Sequence, residues 1–303
     1  MNADFSLKLP LAHVALDRDY LAREREGLFQ QLWSNASTLV LPMFQGRVLL
    51  TAAGELKLFA AAELNMGSAL AYLGRDLEND APIVLANLDE AKAKNLEPED
   101  GRWHTLRKSG IGLSPRDVAI FTQGLALANW HENHAFCPVC GGPTEITRGG
   151  WVRVCRKDDR ELFPRTDPAI IVGVIDDEDR ILLGSQGVWE ENRYSILAGF
   201  VEPGESLEAA VVREMREEAG IVVAEPKYLG SQAWPFPYSL MLGYMAKYVG
   251  GDVVPDGEEI VKLRWFTRDE LKAESSELLL PGKLSIARAI IEHWLGEELQ
   301  TGE

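Results

Sequence analysis

The sequence predicts an α+β protein in three parts, and three observations predict it. Strand-like runs bounded by turn residues recur in both halves of the chain. Long stretches of helical periodicity lie between them, and all three cysteines fall between residues 137 and 155. With 303 residues the chain is long for one core and comfortable for two. The parts read as an N-terminal α+β domain over 1–130, a small cysteine-bearing segment over 131–165 and a larger C-terminal domain over 166–303.

Hydrophobic residues make up 46% and charged residues 26%, as in folded soluble proteins. No run of eighteen apolar residues offers a membrane span, so no membrane partner is expected. The opening "MNADFSLKLPLAHVALDRDY" has no basic segment leading into an apolar one, and a cytoplasmic protein is expected. A formal net charge of −16 argues against broad electrostatic binding to nucleic acid or anionic lipid. It leaves room for a small phosphorylated substrate, because bound cations reverse a local field.

In the first part, "RVLLTAAGELKLFAA" (47–61) reads as two short strands around Gly54, and "PIVLANL" (82–88) as another strand. "PRDVAIFTQGLALANWHENH" (115–134) has apolar residues at helical spacing, with Pro115 placed to open the helix. Nothing catalytic stands out there. The middle part contains "CPVCGG" (137–142) and "CRKD" (155–158), which is C-x2-C, fourteen residues, then C-x2-D. In a reducing compartment this layout of two knuckles reads as a zinc site before a disulfide. The expected ligands are Cys137, Cys140, Cys155 and Asp158; the alternative is a ribbon held by packing alone. The basic residues of "RGGWVRVCRK" around Trp151 read as a solvated face.

The last part opens with "PAIIVGVIDDEDRILLGSQ", two strands joined by an acidic turn, and closes with the amphipathic "LSIARAIIEHWLGEEL". Between them lies "AGFVEPGESLEAAVVREMREEAGI". Ser206 is placed to cap a helix, Leu207, Ala210, Val211 and Met215 form its apolar stripe, and Gly220 ends it. Glu214, Glu217 and Glu218 share an adjacent face, although like charges three and four apart cost about 0.2–0.5 kcal/mol per pair. A solvated acidic face is one explanation; a divalent cation among the carboxylates is the other.

Gly199 to Ile221 resembles the Nudix box, G-x5-E-x7-R-E-U-x-E-E-x-G-U, with Gly199, Glu205, Arg213, Glu214, Met215, Glu217, Glu218, Gly220 and Ile221 in its fixed positions. "SQAWPFPYS" (231–239) resembles the S-Q-P-W-P-F-P-x-S signature of the NAD(H) pyrophosphatase branch, with Ala233 where that branch has proline. The branch also carries a cysteine ribbon upstream of the box, with a fourth cysteine where Asp158 stands here.

The resemblance implies a C-terminal α/β/α sandwich, a zinc-ribbon insert and metal-dependent hydrolysis of NADH or NAD⁺ to nicotinamide mononucleotide and AMP. Carried over by residue, Glu214 and Glu218 hold Mg²⁺ or Mn²⁺ with the Ala198 carbonyl, and Glu217 is a ligand or orients water. Glu259, beside Glu258, is the downstream ligand or base. Arg213 braces the loop by pairing with Glu205. Substrate positions are Phe163, Phe200, the loop Gln232, Ala233, Trp234, Pro235, Phe236, Pro237, Tyr238 and Ser239, and Ala287 through its backbone. A homodimer is implied. NAD-capped RNA is an alternative substrate, and a non-catalytic nucleotide sensor is the alternative from another class.

Overall fold

The structure, a computed structural model, describes residues 3–299. It divides into two compact units, one of His13–Thr166 with Trp234–Tyr238, the other of Met1–Ala12, Asp167–Ala233 and Ser239–Glu303.

The first unit is built on a five-stranded sheet in the order Leu16–Asp17, Ala69–Asp76, Pro82–Asn87, Leu39–Met43, Phe59–Ala60. Helix α1 (Pro115–Asn133) starts where the sequence places it, with Pro115 in its first turn and the Ser114 side chain accepting from the Asp117 N–H. A Cβ on Gly124 would sit 2.8 Å from a Leu41 methyl, so glycine lets the helix approach the sheet. The ribbon in the same unit is three short antiparallel strands, Thr144–Thr147, Val152–Cys155 and Glu161–Leu162. His131 fastens it to α1: Nδ1 lies 2.9 Å from an Arg153 Nη and Nε2 lies 2.8 Å from the Gly150 oxygen. Arginine only donates, so Nδ1 accepts and Nε2–H donates to the carbonyl. Burial pushes the imidazole down to about 4, which keeps it neutral. His131 is thus committed to packing rather than to a metal.

The second unit contains β1 (Asp167–Ile175), β2 (Ile181–Gln186), β3 (Leu197–Phe200), helix α2 (Leu207–Ala219), β4 (Ile221–Trp234), β5 (Ser239–Gly251), β6 (Ile260–Phe266) and α3 (Ile286–Leu295). The sheet order is β4-β5-β1-β2-β6, with β3 also paired to β1. Period-two alternation divides the core. Ile171, Ile181 and Leu183 pack with Ile286, Ile290 and Trp294 of α3, joined by Phe5 and Leu9 from the N-terminal segment. Ile170, Val172, Val174 and Leu182 face the other way, onto Ala210, Val211, Met215 and Ala219 of α2. Helix on each face of a mixed sheet is the α/β/α sandwich. Gly173 has no room for a Cβ, which would press on Met245 and Ile290 and lift α3 from the sheet.

Candidate active site

The glutamate helix is capped at both ends as its sequence requires. The Ser206 side chain accepts from the Ala209 N–H, and Gly220 takes φ +69° while its N–H closes on Arg216 and Met215 carbonyls. A side chain at position 220 would also meet the Asp252 carbonyl at 2.6 Å. The apolar stripe then fixes the rotation of α2, and its acidic face opens on a cavity of 570 Å³.

Into this cavity the fold brings Ala198, Phe200, Arg213, Glu214, Glu217, Glu218, Ser239, Glu258 and Glu259. Register accounts for the strand contributions. Ala169 of β1 pairs with Phe200 of β3 on one side and with Met241 of β5 on the other, so Ala198, Phe200 and Ser239 end at one edge. Phe200 presents a ring side chain that is 60% exposed. Gly199 leaves the space that the Glu214 carboxyl occupies, and a Cβ there would overlap it. The first fixed glycine of the box is therefore a steric requirement of its second glutamate.

Arg213 organises the loop and the helix together. Its Nε and Nη2 reach the two Glu205 oxygens at 3.0 and 2.6 Å, Nη2 also donates to the Phe200 carbonyl at 2.9 Å, and Nη1 lies 2.8 Å from Glu214 and 2.9 Å from Glu217. The fork holds Glu205 down to about 2, assisted by the Glu202 N–H, and the arginine's own pKa rises in return. This is the brace expected of it.

Glu218 is the most buried carboxylate lining the cavity. It is 5% exposed, and its Oε2 is buried without a hydrogen-bond partner. Burial first, then the charges of Glu214, Glu259, Asp256 and Glu217, push it up to about 8. Burial also raises Glu214, against the pull of Arg213. An orphaned oxygen on a buried acid beside other acids has an obvious remedy in a hard cation, and an all-oxygen donor set suits Mg²⁺ or Mn²⁺. The residues fit such an ion.

Asp256, Glu202, Met241 and Ala169 also line the cavity, and no motif of the sequence singles them out. Asp256 takes N–H donors from Glu258, Glu259 and Ile260, and burial notwithstanding, these donors hold it low. Its own N–H meets the Glu218 carbonyl at 3.2 Å, which seats the loop carrying Glu259 against the end of α2. Asp256 stands in "PDG", residues typical of a turn, and that signal does not mark the aspartate as an organiser of the site.

Other expected positions are not among the residues lining this cavity. Gln232 is wholly buried within β4 and donates to the Leu284 carbonyl at 2.6 Å, and Ala233 follows it in the strand. Ala287 is buried, with its N–H toward the Ser285 hydroxyl at 3.2 Å. Trp234, Pro235, Phe236, Pro237 and Tyr238 fall in the first unit, as does exposed Phe163.

In the ribbon, single ligand atoms from Cys137, Cys140, Cys155 and Asp158 all lie within 4.8 Å of one another. Gly142 and Lys157 N–H groups point at Cys140 and Cys155 sulfur, each at 3.4 Å. Tetrahedral zinc with bonds of about 2.3 Å needs ligands of this spacing, so the cluster fits the metal. Burial pushes the Cys155 thiol up to about 11, whereas backbone N–H groups of Cys140 and Val139 hold Cys137 low.

The NUDIX domain model matches residues 164–287, the NADH pyrophosphatase zinc ribbon domain 132–163, and the NADH pyrophosphatase-like rudimentary NUDIX domain 37–130. A protein of Stutzerimonas stutzeri named NAD-capped RNA hydrolase NudC is 40% identical over 218 residues, covering 72% of this chain and 75% of its own. One of the same name from Mycobacterium bovis is 46% identical over 205 residues, 62% of this chain; the match spans 64% of that relative's length. A crystal structure of a NUDIX hydrolase from Nitrosomonas europaea is 24% identical, covers 55% of this chain and 97% of its own, and has a TM-score of 0.42. With its box intact and its ribbon in place, the chain belongs to the Nudix hydrolase family, in the branch that carries the NADH pyrophosphatase zinc ribbon.

Proposed function

We propose that the cavity hydrolyses the pyrophosphate bond of NADH or NAD⁺, releasing nicotinamide mononucleotide and AMP. The observation that carries this reading is the buried Glu214–Glu218 pair with its orphaned oxygen, set in a complete box. Glu214, Glu218 and the Ala198 carbonyl would hold Mg²⁺ or Mn²⁺, with whichever of Glu217 and Glu259 is not the base as a further ligand. The ion supplies charge neutralisation and Lewis-acid polarisation of the diphosphate. The chain does the rest. Arg213 keeps Glu214 and Glu217 aimed, Phe200 offers a ring face for a base, and Glu259 or Glu217 takes the proton of the attacking water. Water adds to one phosphorus, the P–O–P bridge breaks, and the bridging oxygen leaves on the other nucleotide.

The names of the relatives support a second reading, in which the same site removes NAD from the 5′ ends of RNA. A sensing module without catalysis is disfavoured by the intact box. We further assign structural zinc to Cys137, Cys140, Cys155 and Asp158 on their spacing, and carry over a homodimer and a cytoplasmic location from the family resemblance. Among the described residues no helix is long and apolar enough to cross a membrane. The test is kcat/KM for NADH and for an NAD-capped RNA, each with Mg²⁺ and Mn²⁺. Turnover of NADH is expected. Binding of NADH without turnover under every metal would overturn the proposal in favour of the sensor.

A further inference from the structure

Residues 234–238 join β4 to β5 of the second unit, yet they pack within the first. There, Asn129 Nδ2 on α1 donates to the Pro235 carbonyl at 3.0 Å and to the Pro237 carbonyl at 3.1 Å. The Arg107 guanidinium, on the short helix Leu106–Ser109, lies 3.9 Å from the centre of the Phe236 ring and 5.2 Å from that of Trp234. The two rings meet edge to face at 5.0 Å. A carboxamide has two N–H donors, and both are spent on this turn. Pro235 and Pro237 have no N–H to give. Within the turn the bond from Phe236 N–H to the Trp234 carbonyl, 2.7 Å, spans only three residues. A turn so poor in its own donors takes its shape from outside.

We infer that Asn129 and Arg107 are positioning residues for the Trp-Pro-Phe-Pro loop, and that holding this loop is a task of the N-terminal α+β domain. The inference rests on the reading of residues 232–239 as substrate positions, which the family resemblance of the sequence implies. Neither side chain touches substrate; each acts through the loop. Asn129 fixes the two carbonyls that flank Phe236, and Arg107 fixes the tilt of both rings. Ordering the loop before binding lowers the entropy lost when substrate arrives, so the effect belongs in KM.

Asn129→Asp tests this at constant size, because the carboxylate has no donor and faces two carbonyl oxygens. Arg107→Gln, outside the helix–sheet core, is the second variant should the first fold poorly. The readouts are amide hydrogen exchange across 231–239, KM and kcat for NADH, and Tm. Loss of two hydrogen bonds predicts exchange faster by about tenfold in that segment alone. It also predicts KM higher by about five- to tenfold, with kcat within about twofold and Tm within about 2 °C. Unchanged exchange in both variants overturns the inference, as does faster exchange with unchanged KM. If wild-type protein fails to hydrolyse NADH, the proposed reaction falls. The exchange data, with NADH affinity by calorimetry, then decide the roles of Asn129 and Arg107 independently.

Discussion

At the scale of residues, Glu218 states the logic of the site. Its pKa in the fold, about 8, lies above its ordinary value of 4.5 because burial and four neighbouring acids oppose its charge. The folded state therefore holds a proton that the unfolded state has released between those values. In divalent-free buffer, the wild type should lose stability as pH rises from about 5 to 8 and level off above. Glu218→Gln, which imitates the protonated form, should be flatter over that window, and its advantage in Tm should widen with pH. The same variant should lower kcat by on the order of 10²-fold or more. Parallel Tm curves, or near-normal turnover at saturating Mg²⁺, would remove Glu218 from its assigned role. The box residues were legible because each spacing serves a fixed need: Gly199 makes room for Glu214, Arg213 forks onto Glu205, Gly220 takes the left-handed cap. Asp256 was not, because an acid in a turn reads only as a turn former. Gln232 belongs to a recognisable motif, but the motif does not say that its side chain turns inward to Leu284.

At the scale of elements, α2 and the box strand act as one part. Gly199→Ala should displace the Glu214 carboxyl and cut activity by on the order of 10²-fold while the apolar face of α2 keeps the fold. A structure or activity assay showing Glu214 in place and turnover intact would contradict the steric account. The ribbon makes a separate prediction. Wild type should carry about one zinc per chain, and Asp158→Cys should hold it against a competing chelator at a higher concentration, since thiolate suits zinc better than carboxylate. Elemental analysis finding no zinc would leave a ribbon held by packing. Strands and helices were readable from period and caps, including α1, α2 and α3. The two-layer burial of β1 followed from its unbroken apolar run. What sequence did not disclose is that the tip of the β4–β5 hairpin groups with the first unit, because that depends on partners such as Asn129, more than 100 residues away.

At the scale of the molecule, charge is unevenly shared. Residues 13–166 with 234–238 hold 18 basic against 20 acidic residues, which leaves 13 against 27 in the unit with the cavity. That field gathers divalent cations and repels an anionic dinucleotide until the cations are in place. Raising salt from about 0.02 to 0.2 M should therefore weaken Mg²⁺ activation several-fold, while KM for NADH at saturating Mg²⁺ changes little. An unchanged Mg²⁺ midpoint would show that local ligands alone set the affinity. The match of a rudimentary NUDIX domain to 37–130 also gives sense to a faint likeness between "RVLLTAAGELKLF" and "AIIVGVIDDEDRILLG". Hairpins are too common for that likeness to be decisive in sequence alone. Hydrolysis at the pyrophosphate leaves a label that product analysis in ¹⁸O-labelled water reads out. NADH with Mg²⁺ or Mn²⁺ should yield reduced nicotinamide mononucleotide and AMP, with one labelled oxygen in the phosphate of one product. Release of free nicotinamide with ADP-ribose, or recovery of intact NADH, would show that the cavity does not cleave the pyrophosphate.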